Sequence, residues 1–197
     1  MKKAILIHRW DGNPDADWYP WLKTELEARD FSVEIPKMPN PEKPKIESWV
    51  SKLQEFSNEI NRETYLIGHS IGCQTIMRWL ERLSENLKVK GVIFVAPWLK
   101  LDEQTMKEEG EEVWEIARPW IEKPINLKKV KEHSDDFTIV YSTSDPYVSS
   151  DDLVILQEKL GARAVNMGDM GHFDDTAGIK KLPSIVDIIE EIESRGI

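Results

Sequence analysis

The chain has 197 residues, 40% hydrophobic and 31% charged, which suits one globular domain with a real core and excludes a disordered chain. Lys plus Arg number 26 and Asp plus Glu 36, a formal charge of −10, a field that repels phosphate backbones and argues against a nucleic-acid partner. The apolar runs fall short of the roughly 20 residues of a bilayer span, the apolar part of Met1–His8 is too short for a signal peptide, and the single cysteine, Cys73, allows neither a disulfide framework nor a cysteine zinc site, so a cytoplasmic protein with no membrane partner is expected.

Ala4–His8 reads as the first strand, and about Trp18–Arg29 as a helix with Trp18, Trp21, Leu22 and Leu26 at helical spacing. Ser32–Ile35 is a second strand, followed by a loop punctuated by Pro36, Pro39, Pro41 and Pro44. A helix over Glu47–Ile60, a strand over Thr64–Gly68 and a helix from Ile71 to about Leu83 come next. Gly91–Ala96 and Phe137–Ser142 are further strands, then a helix over Asp151–Leu160, a strand over Ala162–Met167 and a closing helix over Leu182–Ile192. Such alternation predicts a mainly parallel α/β sheet in one domain over 1–197. Residues 97–136 are too many for one crossover helix, so a small inserted lid or cap is expected there. This stretch carries Trp98, Trp114, Trp120 and the acidic run Glu108–Glu112. Taken singly, each tryptophan reads as core and the acids as a solvated face.

Gly68-His69-Ser70-Ile71-Gly72 matches G-x-S-x-G. It follows the apolar run Thr64–Ile67 and opens a helix, which is the strand–turn–helix setting of a nucleophile elbow. Glycines suit the strained turn and the crowding around it. The helix N-terminus beyond supplies free N–H groups and a positive dipole for an oxyanion. A capping serine in an ordinary turn is the bland alternative. A serine nucleophile needs a base. Of the four histidines, His8 ends the first strand, His69 lies inside the elbow and His133 lies in a charged run that reads as surface helix. His172, between the last strand and the last helix, is left as the base, because functional loops leave the carboxyl ends of parallel strands. The base needs an orienting carboxylate. Asp145, just after the fifth strand, fits the order Ser, Asp, His. Asp151 and Asp152 read as helix-N-terminal acids, and Asp169, Asp174 and Asp175 sit on the histidine's own loop. Cys73, one turn into the elbow helix, reads as a buried and inert packing residue.

With the motifs His8–Pro14, Trp18–Leu22, Met38–Pro41, Trp49, Gly68–Gly72, Arg118–Trp120, Ser144–Val148 and Gly171–Phe173, the chain resembles the small α/β-hydrolase family of the retinoblastoma-binding serine hydrolase and YdeN type. The resemblance implies a minimal α/β-hydrolase fold with a six-stranded sheet in the order 2-1-3-4-5-6. It implies a Ser70, Asp145, His172 triad. It also implies an oxyanion hole from the backbone N–H of Ile71 and that of Arg9 or Trp10. Arg9 stands where members commonly carry glycine, which places a cation near the site. Cys73 has Ile71 two residues before it and Thr75 two after, so the L-x-C-x-E retinoblastoma-type motif is absent and that partner is not expected.

The expected function is a serine hydrolase of the carboxylesterase type, cleaving small esters, with amides second, through an acyl-enzyme and without metal or organic cofactor. Acyl transfer or aminopeptidase-like cleavage would use the same groups. The alternative is a non-catalytic protein-interaction module on a hydrolase scaffold. The tryptophans and the expected lid favour a small, partly apolar acyl group.

Overall fold

A computed structural model describes residues 1–101 and 103–195. Six strands, β1 (Lys3–Ile7), β2 (Ser32–Glu34), β3 (Thr64–His69), β4 (Gly91–Val95), β5 (Phe137–Tyr141) and β6 (Arg163–Asn166), form one sheet in the order β2-β1-β3-β4-β5-β6. Every pairing is parallel, so all six carboxyl ends share one edge. The order reverses direction between β1 and β3, which is where an open parallel sheet leaves a crevice for ligands.

The sheet is covered on both faces, as a parallel sheet must be. Alternate strand residues point to opposite sides. Ile5, Ile7, Leu66, Phe94 and Ile139 join one buried cluster with α2 (Ile46–Gln54) and α3 (Ile71–Leu80). Ala4, Leu6, Ile67, Ile93 and Val140 join the other, with α1 (Tyr19–Glu27) and a C-terminal helix over Pro183–Ser194. Among the described residues no helix is long and apolar enough to cross a membrane.

Residues 97–136 carry three helices, α4 (Glu103–Glu108), α5 (Glu111–Glu122) and α6 (Leu127–Lys131). The remaining helices are α7 (Ser150–Leu160) and α8 (Pro183–Ser194). Two helices stop earlier than their apolar spacing predicts. Beyond Gln54 the chain continues in tight turns, with Phe56 N–H on Leu53 and Glu59 N–H on Phe56, which keep Phe56 and Ile60 against the core. Beyond Leu80, Arg82 and Leu83 are held by the same three-residue turns. His133 is not on a surface helix. It follows the end of α6, is 2% exposed, and places its Nδ1 2.8 Å from the Leu87 carbonyl.

Two glycines allow α3 to pack at the carboxyl end of the sheet. A Cβ on Gly72 would lie 2.3 Å from the Ile7 carbonyl oxygen, and one on Gly68 would lie 2.7 Å from the Cys73 nitrogen. Both obstacles are backbone and cannot rotate away. Gly72→Ala should therefore destabilise the fold by about 3 kcal/mol or more. Urea unfolding checks this, read as a lower midpoint at an unchanged m value.

Candidate active site

The site begins at the β3–α3 turn. Ser70 has φ 54° and ψ −120°, a conformation that costs a non-glycine residue free energy and is kept by its surroundings. Its N–H donates to the Val95 carbonyl (2.9 Å), and its carbonyl accepts from the Cys73 N–H (2.9 Å). The side chain is thereby lifted above the sheet edge at the start of α3. Ser70 is 6% exposed, and its Oγ accepts a hydrogen bond from Trp98 Nε1 (3.2 Å). Ile71, the first residue of α3, carries an N–H that no carbonyl four residues back within the helix can reach.

The structure brings Asp145 and His172 together. Asp145 Oδ2 lies 2.8 Å from His172 Nδ1, with the carboxylate side chain 1% exposed and the imidazole 10%. Asp145 Oδ1 accepts from the N–H groups of Tyr147 (2.9 Å) and Val148 (3.3 Å). The two loops are laced together by serine hydroxyls. Ser142 Oγ donates to the Gly168 carbonyl and accepts from Met170 N–H, while Ser144 Oγ donates to Asp169 and accepts from Gly171 N–H. The Tyr147 ring stands edge-on to His172 at 5.0 Å between centroids.

Of the other acids, Asp152, Asp169, Asp174 and Asp175 have partners of their own, and Asp174 also lines the same cavity as Ser70 and His172. Asp169 is taken by Ser144. Asp174 accepts from Thr176 and Ala177, which outweigh burial and hold its carboxyl below the usual range. Asp175 pairs with Lys180, and Asp151 lies in the first turn of α7. Asp152 turns inward instead, 1% exposed, and accepts from the N–H groups of Leu99 (2.8 Å) and Lys100 (2.9 Å).

Behind His172 lies a second ordered chain. His69 Nε2 faces the His172 carbonyl at 2.8 Å, and only the ring can donate there, so Nε2 carries the proton. His69 Nδ1 then accepts from Tyr19 Oη–H (2.7 Å), and Tyr19 Oη accepts from Arg9 N–H (3.1 Å). Burial, then the neighbouring His172, push the His69 pKa well down, in keeping with a neutral ring. The Arg9 N–H, one of the two first-turn candidates for an oxyanion donor, is therefore already committed to Tyr19. The Arg9 guanidinium does stand at the site. Burial opposes its charge, but the paired Asp17 carboxylate (Nε to Oδ2, 2.8 Å) prevails and raises its pKa.

A cavity of about 470 Å³ joins these groups. Ser70, His172, Arg9 and Trp10 form its floor, and Trp98, Leu101, Met106, Val113, Ile116 and Tyr147 form an apolar wall. The wall comes mostly from residues 97–136. Cys73 lies outside it, fully buried, with its thiol against the Val95 carbonyl and its pKa pushed up by burial.

A family model for serine hydrolases matches residues 4–191. The chain belongs to the serine hydrolase family. It is 27% identical over 195 residues to YdeN of Bacillus subtilis, covering 98% of this chain and 97% of that protein. The crystal structure of that gene product superposes with a TM-score of 0.87, covering 98% of this chain and all of the other. It is 25% identical over 181 residues to the serine hydrolase RBBP9 of Rattus norvegicus, covering 88% of each. Est1E of Butyrivibrio proteoclasticus, seen with ferulic acid, shares the fold at a TM-score of 0.69 and 14% identity, covering 96% of this chain and 90% of that one.

In this serine hydrolase several site residues carry no sequence signal of their own. Asp17 sits in a loop of mixed polar residues, Tyr19 lies within the Trp18–Leu22 motif with no role read from it, and Trp98 reads as core. Their partners lie 8, 50 and 28 residues away, and such pairings exist only once the sheet has formed.

His8 gives a pH test of this frame. Its ring is buried, Nδ1–H donates to the Arg9 carbonyl (2.8 Å) and Nε2 accepts from Met38 N–H (3.1 Å), so the neutral ring is the one that fits. Burial lowers its pKa below the usual 6.5. Above that value neither state takes the proton and nothing is lost. Below it the unfolded chain binds the proton first, so stability falls as pH drops. Between pH 6.5 and 5, His8→Gln should show a shallower loss of unfolding free energy than the parent, by up to about 1.4 kcal/mol per pH unit. Urea titrations across that range check it.

Proposed function

We propose that this hydrolase cleaves small carboxylic esters, with amides second, through a Ser70, His172, Asp145 triad and an acyl-enzyme. The observation that carries the reading is a strained serine at a helix N-terminus sharing one cavity with an imidazole whose Nδ1 is held by a buried carboxylate. That combination strains a turn and buries a charge, and a nucleophile and its base account for both.

Asp145 fixes the tautomer with Nδ1 protonated, which leaves His172 Nε2 free to accept. Nε2 takes the Ser70 hydroxyl proton as Oγ bonds to the substrate carbonyl carbon, and the carbonyl π pair moves onto its oxygen. The N–H groups of Ile71 and Trp10 stabilise that oxyanion. Collapse breaks the bond to the leaving alcohol, which takes the proton from His172. A water then gives its proton to His172 and bonds to the acyl carbon. The acyl–Oγ bond breaks with its electron pair on Oγ, which recovers the proton from His172. The carboxylic acid departs.

The apolar wall from Leu101 to Ile116 and Tyr147 suits a partly apolar acyl group in a cavity of ordinary ligand size, with α4 and α5 acting as its cover. Arg9 does not favour anions as a free cation would, because Asp17 compensates it.

Ser70→Ala should keep the fold and lose hydrolysis of short p-nitrophenyl esters by a factor of roughly 10³ or more, together with fluorophosphonate labelling. Asp145→Asn should lower kcat by on the order of 10⁴, since the amide favours the wrong tautomer. Equal esterase rates for Ser70→Ala and parent would remove the reading. Absence of any labelling in the parent would favour an interaction module instead.

A further inference from the structure

The mechanism above leaves one group on the reacting atom without a role. The Trp98 indole N–H donates to Ser70 Oγ at 3.2 Å. A hydroxyl has one proton and two lone pairs, and an indole nitrogen only donates. One lone pair of the nucleophile is therefore occupied in the resting site by a donor that cannot take its proton.

That donor is held in place on both sides. Trp98 is 2% exposed. Its carbonyl accepts from Gln74 Nε2 (3.2 Å) on α3, the helix that Ser70 opens. The next two residues donate their N–H groups to the buried Asp152 carboxylate at 2.8 and 2.9 Å. The indole therefore meets Oγ from a fixed position, and no reorganisation is needed when charge appears there.

We propose that Trp98 is a catalytic residue of this hydrolase, an N–H donor that stabilises Ser70 Oγ when it leaves the acyl carbon in deacylation. The inference rests on the acyl-enzyme reading. In that step the acyl–Oγ bond breaks, the pair settles on Oγ, and the proton returns from His172. The Trp98 proton stays on the indole throughout. A hydrogen bond to developing negative charge is stronger than one to a neutral hydroxyl, so the bond tightens as Oγ is expelled. Acylation starts from the Ser70 hydroxyl, which already accepts this bond, whereas the ester Oγ of the acyl-enzyme is a weak acceptor, so the gain on reaching the charged Oγ is larger in deacylation. Deacylation is therefore the step that depends on it.

The test compares the parent with Trp98→Phe and with a variant carrying β-(3-benzothienyl)alanine at position 98, which keeps the indole shape and replaces N–H by sulfur. p-Nitrophenyl acetate is the substrate, nitrophenol release is followed from the first turnover, and intact mass reports the acyl-enzyme. In both variants the steady-state rate should fall roughly tenfold or more while the acylation rate stays within about threefold of the parent. The burst should then approach one nitrophenol per Ser70, with the acetylated mass accumulating. Burst and steady-state rates within about twofold of the parent for the benzothienyl variant would overturn the proposal, whatever Trp98→Phe does to the fold. So would an equal fall in acylation and deacylation, which marks a distorted site. A parent that neither turns over nor reacts with a fluorophosphonate would overturn the acyl-enzyme reading and this proposal with it, and is distinguishable from both.

Discussion

The arrangement depends on the close approach of α3 to the ends of β1 and β3. Ser70 can hold a positive φ only while its N–H is fixed on Val95 and the turn around it is packed. The packing leaves no room for a side chain at Gly68 or Gly72. Strain of this kind costs on the order of 1–3 kcal/mol and persists only where neighbouring structure over-determines it. Here the neighbours are β1, β3 and β4, buried throughout except for Lys3 at the start of β1. A rigid sheet edge thus carries a strained serine, and the first turn of α3 presents its N–H groups beside it.

His172 and Asp145 are positioned differently. They sit on loops, and loops need cross-links to hold a geometry. Ser142 and Ser144 supply these by using both their donor and acceptor capacity between the loops after β5 and β6. Trp18 adds a hydrogen bond from its indole to the Phe173 carbonyl (3.0 Å), and His69 adds one to the His172 carbonyl. The His69 link runs on through Tyr19 to the Arg9 N–H. The turn after β1, the elbow and the histidine loop are therefore one hydrogen-bonded unit, and its neutral tautomers are set by the carbonyl at one end and the amide at the other.

The strands were legible because each apolar run is bounded by turn residues, and their alternation with helices allows few topologies. The sheet order came from the family resemblance and agrees with the structure. Helix ends were less legible. Phe56 and Ile60 continue the apolar spacing of α2 yet pack through tight turns, since periodicity reports which side faces the core and not which hydrogen bonds are made. Ser70, Asp145 and His172 stood out because chemistry restricts residue type and chain order. What holds them did not. Asp152 carries the pattern of a helix-N-terminal acid, and Ser149 does cap α7 by accepting from the Asp152 N–H. The Asp152 carboxylate serves Leu99 and Lys100 on another loop instead. His133 sits in a run of charges and is buried, because the chain turns under Leu87 after α6.

The 97–136 segment is tied to α3 through one buried side chain. Arg78, 1% exposed, lies two turns along α3 from Ser70. Its guanidinium donates to Gln74 Oε1 and to the carbonyls of Trp120 (2.8 Å) and Lys123 (2.7 Å), with the Trp120 ring 5.8 Å away. Those carbonyls lie at the C-terminus of α5, the negative end of its dipole. Burial still lowers the Arg78 pKa, to about 10, so the guanidinium remains a cation at neutral pH and its charge is met by carbonyl dipoles. Oriented by Arg78, Gln74 has its amide nitrogen directed at the Trp98 carbonyl. One side of α3 thus fixes the start of the 97–136 segment through Gln74 and the end of α5 through Arg78. Displacing the end of α5 would leave a buried cation short of acceptors, a cost far larger than that of breaking an exposed ion pair such as Lys43–Glu112. The C-terminal turn of α5 is thereby held to α3, whereas α4 and the first turn of α5, which carry Met106 and Glu112 at the cavity, lie outside the reach of Arg78.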